Sequence, residues 1–189
     1  DGAQGEYFGG GVAIDGNVIV VTAEFDDEHG ARSGSAYVFR FDGQEWLEEQ
    51  KLTASDGHAD DFFGGFVAVD GNVIVIDANG DDDNGPSSGS AYVYRFDGLN
   101  WNEEQKLLAD DGAAGDAFGR SVALAEDVIV VGADSTDDNG SLSGSAYVYR
   151  FDGATWTQEQ KLLAADREAG DRFGTSVAVV EDIIVVGAY

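Results

Sequence analysis

The residues best equipped for chemistry stand in three acidic loops, where oxygen-bearing side chains alternate before a glycine. They are Glu24, Asp26 and Glu28 before Gly30; Asn79, Asp81 and Asp83 before Gly85; and Asp134, Thr136 and Asp138 before Gly140. Hard cations such as calcium take roughly six to eight oxygens, and three alternating side chains, a carbonyl and a glycine that turns the backbone can supply most of them. The nine residues are therefore candidate calcium ligands. The pattern is not an EF-hand, because the glycine falls one place late and a closing bidentate glutamate has no counterpart. Asp, Asn and Gly are also the ordinary material of solvated turns, so a plain turn is the competing reading of the same residues. Asp27, Asp82 and Asp137 are identical in the three loops and fit either reading.

Other chemistry finds less support. His29 aligns with Asn84 and Asn139, and His58 with Ala113, so neither histidine recurs. The Ser-Gly-Ser at Ser88–Ser90 has no His or Lys at a fixed spacing to activate a nucleophile. No spacing among the 37 acidic residues singles out a hydrolytic carboxylate pair. The expectation is a protein that is not an enzyme.

The loops belong to a repeat. Gly34, Gly89 and Gly144 are 55 residues apart, and loop and following strand recur without insertion. The repeats run 1–55, 56–110 and 111–165, with a truncated fourth at 166–189, and such a period has to be read before local structure. Each holds four short apolar segments separated by turn residues, none with helical length or spacing, so the class is all-β. The first segment is small (SVALA, Ser121–Ala125) and the second a β-branched run (Val128–Val131) of the kind buried on both faces. Asp15-Gly16, Asp70-Gly71 and Glu126-Asp127 separate the two as tight hairpin turns. The third, SAYVYRF at Ser90–Phe96, alternates aromatic with small or charged side chains. The fourth follows Trp46, Trp101 and Trp156 with EEQKL, EEQKL and QEQKL, charges that suit an outer strand guarded against stray pairing. Small inner strands and bulky, charged outer ones predict wedge-shaped four-stranded blades, three complete and one half. In such a meander the acidic second-to-third loops and the connections between blades emerge on one face, which becomes an acidic rim. Asp42-Gly43, Asp97-Gly98 and Asp152-Gly153 read as turns between third and fourth strands. Asp77, inside an apolar strand, reads either as solvated near the blade end or as part of a cation site, since a buried unpaired carboxylate is too costly.

Phe8-Gly9, Phe63-Gly64, Phe118-Gly119 and Phe173-Gly174 are followed, after nearly constant intervals, by Thr22-Ala23, Asp77-Ala78, Gly132-Ala133 and Gly187-Ala188. In this the whole chain resembles the FG-GAP repeat of bacterial and archaeal surface proteins, and distantly the integrin α-chain propeller. The resemblance implies an antiparallel β-propeller, extracellular or at the cell surface, often calcium-binding, engaged in adhesion or assembly. The Pro of the GAP motif is replaced by Glu24, Asn79, Asp134 and Tyr189.

Thirty-seven Asp and Glu against ten Lys and Arg give a formal charge of −27, which repels nucleic acid and anionic lipid, attracts cations, and favours the compact state in salt. The absence of Cys leaves the redox compartment unread. No run of about 18 apolar residues predicts a membrane span. The missing Met and the half blade point to an excerpt of a longer repeat protein, or to a chain that completes its sheet with another. The expected partners are a protein or glycan at a cell surface, or further copies of the chain in a fibre or ring. A carbohydrate-binding module is a third reading, with Tyr37, Tyr92, Tyr147 and the three Trp as stacking surface or, more plainly, as packing between blades. Arg40, Arg95 and Arg150, with Lys51, Lys106 and Lys161, are expected to pair with neighbouring Glu along the outer strands.

Overall fold

The computed structural model describes residues 5–166, 168–181 and 183–189. Three four-stranded antiparallel sheets follow one another, each in simple chain order. The first comprises β1 (Phe8–Asp15), β2 (Val18–Ala23), β3 (Ser35–Phe41) and β4 (Trp46–Leu52); the second β5 (Phe63–Asp70), β6 (Val73–Ala78), β7 (Ser90–Phe96) and β8 (Trp101–Leu107). The third holds β9 (Ser121–Ala125), β10 (Val128–Ala133), β11 (Ser145–Phe151) and β12 (Trp156–Leu162), and β13 (Ser176–Val180) pairs with β14 (Ile183–Gly187) as a two-stranded sheet. The sheets are consistent with propeller blades. The first strands lie against one another, β1 on β5, β5 on β9 and β9 on β13, because their small side chains allow close approach.

Each core lies between blades. Val18, Val20, Ala36 and Val38 of the first blade close on Phe63, Ile74, Tyr92 and Trp101 of the second. Val73, Val75, Ala91 and Val93 of the second meet Phe118, Ile129, Tyr147 and Trp156 of the third in the same way. A blade thus has a face of aromatics and a face of small β-branched residues, and the first packs on the second. The tyrosines and tryptophans of the two inner blades are packing residues, buried in these seams.

Two local expectations need correction. The hairpins between first and second strands turn on Gly16-Asn17 and Gly71-Asn72, one residue later than read, because Asp15 and Asp70 still pair with Val18 and Val73. The first turn residue is left-handed in each case, Gly16 at φ 52°, Gly71 at φ 56° and Glu126 at φ 52°. The charges of the fourth strand also do more than guard an edge. Gln50 receives a hydrogen bond from the Trp101 N–H and donates one to the Trp101 carbonyl, each 2.8 Å, and Gln105 clamps Trp156 alike. Glu49 accepts from the Trp101 indole N–H at 3.0 Å while paired with Arg40, whose guanidinium lies over Phe96. Glu104 does the same for Trp156 and Arg95, and that guanidinium covers Phe151.

The Ser-Gly-Ser motif is a joint. Gly34, Gly89 and Gly144, at φ 85°, 82° and 78°, each bridge in parallel to the Phe of the next Phe-Gly pair, and a Cβ there would overlap that residue's backbone. Among the described residues no helix is long and apolar enough to cross a membrane.

Candidate functional site

Loop shape comes first. Asp27, Asp82 and Asp137 accept, through Oδ1, the backbone N–H of Arg32, Ser87 and Leu142 at 2.7, 2.7 and 2.8 Å. Those acceptors hold the one non-glycine residue in each of these three loops that is left-handed, at φ 56°, 51° and 57°. This bracing explains why the aspartate is constant, and it is neither of the roles read from the sequence. Ser33, Ser88 and Ser143 donate back to the carbonyls of Asp26, Asp81 and Thr136. These hydrogen bonds close each loop on itself.

Within each loop the three alternating side chains face different partners. Asp26 and Glu28 gather on one side, as do Asp81 and Asp83, and each pair closes on a lysine of the same blade's fourth strand. Lys51 Nζ lies 2.9 Å from Asp26 and 2.6 Å from Glu28. Lys106 Nζ lies 2.7 Å from Asp81, 2.7 Å from Asp83 and 2.9 Å from Asp56 in the connection from the preceding blade. Lys161 Nζ lies 2.7 Å from both Asp138 and Asp111. Thr136 faces inward instead, its hydroxyl 2.6 Å from Ser145 Oγ. The lysines stand directly across from Tyr37, Tyr92 and Tyr147 in the strand pairing, and each ammonium lies 5.2 Å from the ring centre. The arginines pair along the strands as expected, with Glu49, Glu104 and Glu159. The lysines do not.

Burial works against charge on Lys51, Lys106 and Lys161, but the hydrogen bonds to their carboxylates outweigh it and raise all three above the ordinary lysine value. On the other side of the pairs, burial is again opposed, chiefly by the lysine, and Asp26 and Asp138 fall below the usual carboxylate value. A cavity of about 310 Å³ opens over the second cage, lined by Asp56, His58, Asp61, Asp81, Asp83 and Lys106 among others.

Glu24, Asn79 and Asp134 turn away from the lysines, because the chain reverses after Ala23, Ala78 and Ala133 and leaves them beside the seams. Asp134 lies 3.6 Å from Arg120 and 3.4 Å from Arg172. Asn79 donates to Asp77 Oδ2 at 3.1 Å, and an added Cβ on Gly65 would touch the side chains of Asp77, Glu24 and Asn79 together. Asp77 is 0% exposed and is not solvated at a blade end. Its Oδ1 accepts the Phe66 N–H at 2.6 Å, across the bulge in β5, where Thr22 accepts the Gly11 N–H at 2.7 Å in the first blade. Burial first, and Glu24 nearby, push its carboxyl up to about 8, so at neutral pH it is largely protonated and does the work of the threonine hydroxyl.

Among the described residues no group of three or more His, Cys, Asp or Glu is arranged to hold a metal. Calcium, which the repeat resemblance implies, does not fit the loop acids as built, since an ammonium already stands at contact distance from them. The other expectations have simple outcomes. Asp42, Asp97 and Asp152 cap their turns by accepting two successive N–H groups each. His29 lies 3.1 Å from Thr53 Oγ1, an ordinary surface contact. The reach of lysine into the loops is what sequence reading missed. Its signal was present, since Lys51, Lys106 and Lys161 are all the lysines of the chain and share one repeat position.

Comparison with known proteins accords with this architecture. The chain is similar in structure to Saccharomyces cerevisiae Sqt1 (TM-score 0.53, 10% identity, 88% of this chain and 38% of that one). It is also similar to a europium-containing methanol dehydrogenase (TM-score 0.53, 10% identity, 80% of this chain and 24% of that one). It thus spans well under half the length of either, and at this identity the likeness speaks for a β-propeller-like fold alone. No curated protein matches the chain. The FG-GAP repeat matches at residues 1–39, 46–94, 101–149 and 156–189, each match after the first running from a fourth strand into the next blade. With four such matches covering most of its length, the chain belongs to the FG-GAP repeat family.

Proposed function

We propose that this chain is a non-enzymatic propeller module working outside the cell or at its surface, where it assembles through its blade faces with further copies of itself or with a protein or glycan displayed there. The observation that carries this reading is the contrast between inner and outer faces. Trp46 is 39% exposed against 2% for Trp101 and 3% for Trp156, and Phe8 is 54% exposed against 0% for Phe63 and 1% for Phe118. At the opposite end Ile183 and Val185 are exposed where Val128 and Val130 are buried. The first set matches the aromatic half of a seam and the second the aliphatic half, so a blade-like surface, of the same polypeptide or of another, fits either face.

Calcium at the loop acids is no part of this reading, given the lysines. A sugar platform gains no support from the aromatics, because the tilted Phe41–Trp46 pair recurs as Phe96–Trp101 and Phe151–Trp156 inside the seams. The charge of −27 argues against nucleic acid. Sedimentation equilibrium across a wide concentration range tests the self-assembly. The expected result is a mass that rises with concentration and with salt, and that returns to monomer in Trp46→Glu or Val185→Glu. A monomer at every concentration in moderate salt removes it.

A further inference from the structure

The loop acids meet a cation, but that cation is covalently part of the chain. We propose that Lys51, Lys106 and Lys161 take the positions that loop metals would hold, so that the second-to-third-strand loops of this protein are neutralised and shaped without calcium. The second cage shows why most clearly. An ammonium has three N–H donors, and Lys106 has one carboxylate for each of them, Asp56, Asp81 and Asp83, all within 2.9 Å. Calcium would need those same oxygens at about 2.3–2.6 Å. It would also face a lysine largely covered by protein, whose ammonium lies 5.2 Å from the Tyr92 ring centre and whose charge would repel the ion.

Among the described residues Asp26 and Glu28 meet Lys51, three aspartates meet Lys106, and Asp111 and Asp138 meet Lys161, where Thr136 replaces the inner acid. Even with Thr136 at the inner position, Lys161 keeps two carboxylates, enough to balance its single charge. The loop backbone, braced by Asp27, Asp82 and Asp137 and by the serine hydroxyls, requires no ion to hold its turn.

All lysines of the chain being in these cages, amine-reactive labelling reads them directly, site by site, by mass spectrometry. Labelling rates of Lys51, Lys106 and Lys161 in the unaltered chain are compared in excess chelator and in millimolar calcium at constant ionic strength. The expected rates are equal. In parallel, Lys106→Met leaves three carboxylates around a vacated position, and its melting temperature is expected to rise with calcium by several degrees more than that of the unaltered chain. Tyrosine-sensitised terbium luminescence is expected to appear with it. Calcium that speeds labelling has displaced the ammonium, and overturns the proposal. So does a folded Lys106→Met with the same calcium response as the unaltered chain. Lys161→Met, in the less acidic third cage, repeats the test if Lys106→Met fails to fold, and the labelling experiment needs no variant.

Discussion

Asp77 shows how one side chain can tie stability to pH. The unfolded chain ionises this carboxyl near its ordinary value of about 4, and the folded chain only at about 8. Between those values the folded state holds the proton that the unfolded state has lost. The stability associated with the protonated form is therefore complete below about pH 4 and falls as pH rises to about 8, by up to about 1.4 kcal/mol per pH unit. Asp77→Thr, which installs the residue found at the same place in the first blade, is expected to remove that dependence. Urea unfolding of variant and parent at several pH values should give curves that diverge upward from pH 5, the variant being the more stable at pH 8. A constant difference would mean that Asp77 is ionised in the folded protein. That an acid in the run VIVIDA was anomalous could be read from the sequence. Its fate could not, because it depends on a bulge in β5 that presents the Phe66 N–H to it. The loop acids divide similarly. Their spacing reads as a calcium pattern, but Asp26, Glu28, Asp81, Asp83 and Asp138 meet a lysine from a strand more than 20 residues downstream, which no local pattern reveals.

The strands themselves were legible because alternation and β-branched runs coincide with a strict repeat. All fourteen described strands fall on the apolar segments picked out by the pattern. The joints between blades were not legible, since they use residues with no conformational signature. Phe62, Ala117 and Arg172 are left-handed at φ 55°, 53° and 49° immediately before the Phe-Gly pair, and each donates its N–H to Arg32, Ser87 or Leu142, left-handed in turn. Only the glycine of Ser-Gly-Ser marks this joint in the sequence. Gly89→Ala would put a methyl into the Phe118 backbone as well as straining φ, and is expected to cost about 3 kcal/mol or more. Gly98→Ala is the comparison, with φ 100° but open space around it, and it should cost about 1 kcal/mol. Equal losses in denaturant titrations would show that close approach at Gly89 is unimportant.

At the scale of the whole molecule, charge and architecture act separately. Every cation is outnumbered, ten Lys and Arg against 37 acids, and those in the described blades stand beside carboxylates, so the unpaired remainder is negative. Monovalent salt screens that repulsion more than it weakens the few pairs. The melting temperature is expected to rise from low ionic strength to about 1 M sodium chloride. A fall would mean that the lysine cages and arginine pairs outweigh the general repulsion. The architecture has a different consequence, drawn from the glutamine clamps. Gln50 grips Trp101 and Gln105 grips Trp156, and each apolar core is shared by two consecutive blades, so the described seams couple nearest neighbours. Opening then becomes a graded process that travels from blade to blade. Amide protons of β6, β7, β10 and β11, covered by seams on both sides, should exchange with solvent last, and a substitution in one seam should loosen its two flanking blades while leaving those farther away with their original protection.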